Sequence, residues 1–255
     1  MRLIFITQDD PFYLPTIYKY LLPKLKDDHH EVVACIIFDV APFGKKESKL
    51  KQLIDTYKVF GLNFSIHYLI KYAKSLLSKN IKSVMNQEGI KTIKLQNTIN
   101  HPSSLAIIDS FKPDLIVSLA GNEIFKQTLI KSSKYGIINL HSALLPKYRG
   151  LMPSFWVMRY NEVKTGVSVF FVDEGIDSGP IIVQREISIL DRTHAELVWE
   201  LKYQGADAIV ETCNLIEKFG ENTPTKKNNQ NEMTYFSKPK KEDIIAFKAI
   251  GKKFF

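Results

Sequence analysis

Cysteine is scarce in this sequence. Only two of the 255 residues are cysteine. Cys35 lies in an apolar run and Cys213 in a stretch with helical spacing. No CxxC or HExxH pattern occurs, so no metal site is expected. Two isolated thiols of this kind read as buried and free, as in a reducing compartment. No apolar run approaches the roughly 20 residues of a membrane helix. The opening segment Met1-Arg2-Leu3-Ile4-Phe5-Ile6-Thr7 lacks the length and cleavage site of a signal peptide and reads as a first strand. A cytoplasmic protein without membrane association is therefore expected. There is no internal repeat.

What is present suits one sizeable core. Hydrophobic residues make up 45% of the chain and charged residues 24%. The net charge is +8. The lysines are spread over Lys45 to Lys51, Lys71 to Lys82, Lys226, Lys227 and Lys238 to Lys241. Scattered lysines read mainly as solvated surface, with some attraction for an anionic small molecule or nucleic acid.

Leu3 to Thr7 and Glu31 to Phe38 are short runs rich in Ile, Val and Phe, the mark of buried strands. Between them Leu14 to Leu25 has helical spacing, with Pro15 in the first turn, where proline is tolerated. A strand–helix–strand unit predicts a parallel sheet. Lys45 to Met85 predicts two helices broken near Gly61 and Asn63. Strands follow at Ile90 to Leu95, Leu115 to Leu119 and Gly136 to Leu140, separated by helices at Ser104 to Phe111 and Phe125 to Lys131. This alternation predicts an α/β fold, a doubly wound and mostly parallel sheet covered by helices.

The second half differs. Gly166 to Val172 and Pro180 to Ile189 read as neighbouring strands around a turn-rich segment, Asp173 to Gly179. Thr193 to Phe219 is one amphipathic helix, with Thr193 and Glu196 spaced as a capping box. Gly220 to Asn231 is polar and expected to be mobile. Met233 to Phe255 is basic with aromatics. Residues 1–220 are assigned to one domain and residues 221–255 to a tail packed on its core.

Two segments carry candidate chemistry. His141 directly follows a strand, where open parallel sheets bind ligands. Asn139, two residues earlier, shares its face. The tract Leu144 to Gly150 reads as an irregular loop of mixed apolar and basic residues. The second segment presents Asp177 on a turn between Gly175 and Gly179. Taken alone, the histidine reads sooner as structural and the acids as turn formers.

Together these segments resemble a known family. Asn139-Leu140-His141-Ser142-Ala143-Leu144-Leu145-Pro146-Lys147-Tyr148-Arg149-Gly150, Thr165-Gly166-Val167-Ser168-Val169 and Asp173-Glu174-Gly175-Ile176-Asp177-Ser178-Gly179-Pro180-Ile181-Ile182 are similar to the 10-formyltetrahydrofolate-dependent formyltransferases. That superfamily includes the methionyl-tRNA, glycinamide ribonucleotide and sugar N-formyltransferases. The resemblance covers roughly Pro113 to Ile189. It implies a Rossmann-like fold and a catalytic group of Asn139, His141 and Asp177. It also implies 10-formyltetrahydrofolate as co-substrate, bound by Leu119, Ala120, Gly121, Asn122 and Ile124 and by Val172, Asp173 and Gly175. Asp173 resembles an acid of structural rather than catalytic role. The chemistry suits these residue types. Attack of an amine on the formyl carbon creates an oxyanion, and one well-placed donor is worth about 3 kcal/mol there. Asn139 and His141 can supply N–H groups, and Asp177 can orient His141 or relay the amine proton. No covalent intermediate is needed. Ser142 has no separate base.

The acceptor is narrowed by two departures from the family pattern. After the first strand stands Thr7-Gln8-Asp9-Asp10-Pro11 in place of a glycine-rich phosphate loop, which disfavours a ribonucleotide-phosphate acceptor. Residues after Gly220 are too few for the C-terminal barrel usual in tRNA-formylating members. Met152 to Trp156 and Tyr235 to Pro239 are similar to short small-molecule formyltransferases. A nucleotide-linked amino-sugar is the leading acceptor. Methionyl-tRNA, water (a formyltetrahydrofolate hydrolase) and an inactive folate-binding protein are the alternatives, and a homodimer stays open.

Overall fold

The computed structural model describes residues 1–39 and 48–255. Lys45, and with it the start of the two-helix region expected from Lys45 to Met85, lies outside the described residues.

The first half builds β1 (Arg2–Gln8), α1 (Leu14–Asp27), β2 (Glu31–Phe38), α2 (Lys49–Phe60), α3 (Leu62–Ser75), α4 (Ile81–Gln87), β3 (Lys91–Ile93), α5 (Pro102–Ser110), β4 (Leu115–Leu119) and α6 (Gln127–Ile130). The second half builds β5 (Ile137–His141), β6 (Arg149–Gly150), α7 (Pro153–Arg159), β7 (Lys164–Phe171), β8 (Ile181–Ser188), α8 (His194–Phe219), β9 (Tyr235–Phe236) and α9 (Lys241–Ala249). Seven strands form one sheet in the order β3-β2-β1-β4-β5-β7-β8. β1 to β5 pair in parallel, whereas β7 and β8 join as antiparallel strands. The strand order reverses at β1, which sits between β2 and β4. Chains of this topology leave a crevice beyond the carboxyl ends of the strands at that reversal.

Alternation along the strands divides the core into two layers. Leu3, Phe5, Leu115, Val117, Ile138 and Leu140 face one layer, with the buried stripes of α1 and α8. Ile4, Ile6, Ile116 and Ile137 face the other, with Ile108 of α5 and Leu129 of α6. Successive strand residues point to opposite faces, so Asn139 and His141 share the side of Ile137. α1 buries Leu14, Ile17, Tyr18, Leu21, Leu22 and Leu25, and Pro15 lies in its first turn. α8 starts at the expected capping box, in which Thr193 accepts from the Glu196 N–H and Glu196 answers the Thr193 N–H. Cys35 and Cys213 are buried free thiols. Burial pushes the Cys213 thiol up to about 12.

Four expectations need correction. Lys45 to Met85 holds three helices rather than two. Gly61, at φ +86°, breaks the first pair, and Asn80 caps the third by accepting from the Ser83 N–H. Leu76 and Leu77 are not helical core but lie 68% and 92% exposed after α3. The tract Leu144 to Gly150, read as wholly irregular, ends in a short strand, and α7 follows it.

The polar tract Gly220 to Asn231 is fastened rather than mobile. Lys226 exchanges both main-chain hydrogen bonds with Ile181 at the edge of the sheet, at 2.7 and 2.9 Å. Asn228 is only 4% exposed. Beyond it β9 pairs in parallel with β6. α9 brings Phe247 against Phe155, with centroids 5.2 Å apart, and against Phe254 at 4.6 Å. The chain end also caps α8, because the His194 and Ala195 N–H groups donate to the carbonyls of Lys253 and Phe254.

Two outcomes follow from this packing. Phe247→Ala should lower the free energy of unfolding by about 3–5 kcal/mol in urea titration, the range for a buried phenylalanine. A loss below about 1 kcal/mol would mean that α9 is not part of the core. The second concerns His194, whose ring meets Phe254 edge-on and whose Nε2 lies 3.0 Å from Ser154 Oγ. Burial, and then the charge of Lys71, push this imidazole from 6.5 down to about 4. The unfolded chain therefore takes up the proton first as pH falls. His194 imposes no penalty above pH 6.5, and stability is lost from there down to about 4. His194→Gln should remove on the order of 1 kcal/mol of the stability difference between pH 7 and pH 5. An unchanged difference would refute it.

Candidate active site

Three loops frame the candidate site. One follows β4, a second joins β5 to β6, and the third is the turn between β7 and β8. Ser118 and Phe170 flank Asn139 in the sheet, and Ser168 pairs with His141. The Asn139 carboxamide is half-buried and makes no hydrogen bond to the described residues. It is thus a donor and acceptor without an internal partner.

His141 is 5% exposed and sits between two loops. Its Nε2 lies 2.7 Å from the Tyr148 carbonyl oxygen. A carbonyl only accepts, so Nε2 carries the proton. Nδ1 faces Asp177 Oδ2 at 3.5 Å, just beyond a normal hydrogen bond. The same Oδ2 accepts from the Gly150 N–H at 2.9 Å. The carboxylate is therefore fixed from the tract after β5 while it faces the ring at the end of β5 itself. With Nε2 committed to Tyr148, Nδ1 is the nitrogen that can exchange a proton in the crevice.

The loop after β5 is anchored on buried Ser168. Its hydroxyl donates to the Ala143 carbonyl and accepts from the Leu145 N–H, at 2.7 and 3.0 Å. Gln184 adds a bond to the Leu145 carbonyl. Tyr148 then turns back with φ +59°, stacks on Phe236 and donates to Glu162 at 2.6 Å. Burial, and then Glu162, hold its phenol well above the usual range. Arg149 follows, 4% exposed. It is paired not with a carboxylate but with two amide oxygens, Asn228 Oδ1 at 2.7 Å and Gln230 Oε1 at 2.8 Å. Burial lowers its pKa, against the opposing charges of Asp177 and Asp173.

The residues expected around the folate fall into two groups. Ala120 adopts φ +63°, and Gly121 packs over Ser118 and Phe125. Asn122 donates to the Asp39 carbonyl at 2.7 Å, and its Oδ1 is buried with no partner among the described residues. Ile124 is 57% exposed and Leu119 is buried. In the second group the Val172 N–H donates to the Ile137 carbonyl. Asp173 Oδ1 accepts from the Gly175 N–H and the Ser178 hydroxyl, at 3.0 and 2.5 Å. It builds the turn that presents Asp177. The turn is tight: a Cβ on Gly179 would lie 1.8 Å from the Phe171 carbonyl oxygen. Asp177 itself sits at φ +48°. Three non-glycine residues in this rare region, Ala120, Tyr148 and Asp177, border one crevice. Each costs on the order of 1 kcal/mol, and such strain concentrates at functional sites. Among the described residues no group of His, Cys, Asp and Glu could hold a metal ion.

A family model described as formyl transferase matches residues 40–212. The chain belongs to the formyltransferase family. Among its relatives, methionyl-tRNA formyltransferase of Thermodesulfovibrio yellowstonii is 36% identical over 171 residues, 67% of this chain and 54% of that protein. The enzyme of the same name from Geobacter metallireducens is 33% identical over 172 residues, 67% of this chain and 54% of that protein. The chain thus spans about half the length of these curated relatives. Solved formyltransferase structures share the fold. An N-formyltransferase from Helicobacter canadensis, in complex with folinic acid and dTDP-3-aminofucose, superposes with a TM-score of 0.61 at 20% identity, covering 93% of this chain and 71% of that one. Glycinamide ribonucleotide transformylase 1 from Symbiobacterium toebii gives 0.59 at 15% identity, over 86% and 88%.

Sequence reasoning missed the supports of this formyltransferase crevice. Tyr148 and Arg149 stand in the motif with no role of their own assigned, and Asn228 lies in a polar tract whose composition predicts mobility. An arginine beside apolar residues was the one available hint. Its partners lie about 80 positions away, beyond any local pattern.

Gly150 is the contact where the supporting strand touches the crevice loop. It has φ +91°, and a Cβ would lie 2.3 Å from the Phe236 carbonyl oxygen. Gly150→Ala should therefore part β6 from β9 and lower stability by about 1–3 kcal/mol. Denaturant unfolding measures this, and a neutral result would refute the tight approach.

Proposed function

We propose that this chain transfers the formyl group of 10-formyltetrahydrofolate to the primary amine of a small acceptor, a nucleotide-linked amino-sugar. The single observation that carries formyl transfer is the group Asn139, His141 and Asp177 at the crevice of a formyltransferase fold. The amine nitrogen attacks the formyl carbon while the carbonyl oxygen gains negative charge. Asn139, whose amide has no partner among the described residues, donates to that oxygen. His141, when protonated at Nδ1, donates from the same strand face. The intermediate collapses by breaking the bond to N10 of the folate. The proton lost by the amine passes through Asp177 and His141 to that nitrogen.

The folate fits the loop after β4. Asn122 Oδ1 is a buried acceptor with no partner among the described residues, suited to an N–H of the pterin. Leu119 and Ile124 offer apolar surface beside it. Val172, Asp173 and Gly175 would bound the opposite wall with main-chain groups.

The acceptor reading rests on the start of α1. Asp10 accepts from the N–H groups of Phe12, Tyr13 and Leu14, at 2.9 to 3.2 Å. These are the donors a phosphate would need, so a ribonucleotide phosphate is disfavoured there. Beside them Phe12 meets Tyr68 at 5.1 Å, Tyr13 meets Trp199 at 4.9 Å, and Lys71 lies 3.9 Å over the Tyr13 ring. Aromatic faces with a cation suit a nucleobase and its diphosphate. The H. canadensis N-formyltransferase, with its dTDP-3-aminofucose, supports the same class. Methionyl-tRNA is the second reading, favoured by the names of the relatives at 33–36% identity.

Incubation with 10-formyltetrahydrofolate and a panel of nucleotide-linked amino-sugars, followed by mass spectrometry, tests this reading. N-formylated sugar is expected, with charged methionyl-tRNA as the comparator. Formylation of the tRNA alone would replace the acceptor. Asn139→Ala and His141→Ala should each lower kcat by about 10²–10³-fold. Unchanged turnover in either would remove that residue from the mechanism.

A further inference from the structure

The segment Asn228 to Phe236 touches both loops that hold the His141 ring. Asn228 Nδ2 donates to the main-chain carbonyls of Asp177 and Gly179, at 2.9 and 3.0 Å. Its Oδ1 accepts from Arg149 Nη2 at 2.7 Å. Gln230 accepts from Arg149 Nη1 and donates to the Ser178 carbonyl. Thr234 accepts from the Tyr148 N–H with its hydroxyl and from the Arg149 N–H with its carbonyl, at 2.8 and 2.9 Å. The Phe236 carbonyl accepts from the Leu151 N–H.

One loop answers His141 Nε2 through the Tyr148 carbonyl, and the other answers Nδ1 through Asp177. Asn228 and Gln230 each bond to both loops at once, and of the two only Asn228 is buried. It is 4% exposed, and both ends of its amide are used. The Asp177 backbone is in the left-handed region, which an unsupported aspartate seldom holds. The bond from Asn228 to its carbonyl opposes relaxation of that conformation.

We propose that Asn228 is a positioning residue for formyl transfer, holding Asp177 against the His141 imidazole and locking the two crevice loops together through Arg149. This rests on the catalytic reading above. Asn228 touches no reacting atom. It acts by keeping the carboxylate within reach of Nδ1. A shift of about 1 Å in such a group can cost 10²-fold in rate.

Two variants separate positioning from folding. Asn228→Asp keeps the shape and the acceptor toward Arg149 but loses the donor toward the Asp177 and Gly179 carbonyls. Asn228→Ala loses both. In full-length protein, Asn228→Asp should lower kcat by about 10–100-fold with the amine KM within about threefold. In an Asp177→Asn background the same change should cost far less, because the two losses are not independent. A second measurement needs no substrate: the ring ¹⁵N signals of His141, followed by NMR at fixed pH. They should move in both variants, while those of His30 and His194 stay in place. Unmoved His141 signals, additive losses, or changes spread equally over all three rings would overturn the proposal. If no acceptor is formylated by the parent protein but His141 alone still moves, the functional reading fails and the positioning role stands.

Discussion

An imidazole has two nitrogens, and the crevice is organised around what each of them meets. The Tyr148 carbonyl fixes the proton on Nε2 and so leaves Nδ1 turned toward Asp177. This division needs two loops from distant parts of the chain to face each other across one ring. Each loop passes through a rare backbone conformation. The first bends through Tyr148 and Gly150 in the left-handed region, and the second through Asp177. Their geometry persists because Ser168 and Gln184 tie one to the sheet, while Asp173, Gly179 and Asn228 tie the other. The strain at the site is balanced by hydrogen bonds placed around it.

The sheet supplies the remaining constraint. Alternation along β5 sends Ile138 and Leu140 to the α8 layer. Asn139 and His141 are left on the opposite face, where the apolar layer ends at the carboxyl edge. A shift of one residue in the β4–β5 register would turn both polar groups into the core under α8. The parallel pairing Ile116–Ile137, Val117–Ile138 and Ser118–Asn139 fixes that register. The order β2-β1-β4 places the same edge at the reversal of the sheet. Position, face and crevice thus all derive from the pattern of apolar residues in five short runs.

That dependence explains what was legible in the sequence. Strands such as Leu3 to Thr7 and Leu115 to Leu119 announce themselves because burial on both faces makes them continuous apolar runs. Helices α1 and α8 carry one-sided stripes, and α8 also carries its cap. Asn139, His141 and Asp177 were visible because they sit in contiguous motifs with turn-forming glycines. The short strands β6 and β9 were not visible. Each has only two residues, and their pairing is a contact between main chains that no side-chain pattern records. α9 escaped because a single turn-spaced pair, Ile244 and Phe247, is its buried face. Asn228 and Gln230 lie in a stretch of Lys, Asn and Gln whose composition matches solvated chain, yet both bond the guanidinium of Arg149 and Asn228 is buried against it. Buried polar contacts across long separations are the class of information that periodicity cannot hold.

The parallel pairing of β6 with β9 joins residues 149–150 to residues 235–236. Ribosomes deliver the chain from its N-terminus, and early portions collapse before late ones exist. The sheet through β8 and its helices can assemble while the segment that braces the two loops is still being made. The brace between the two loops is then completed only once Phe236 has left the exit tunnel.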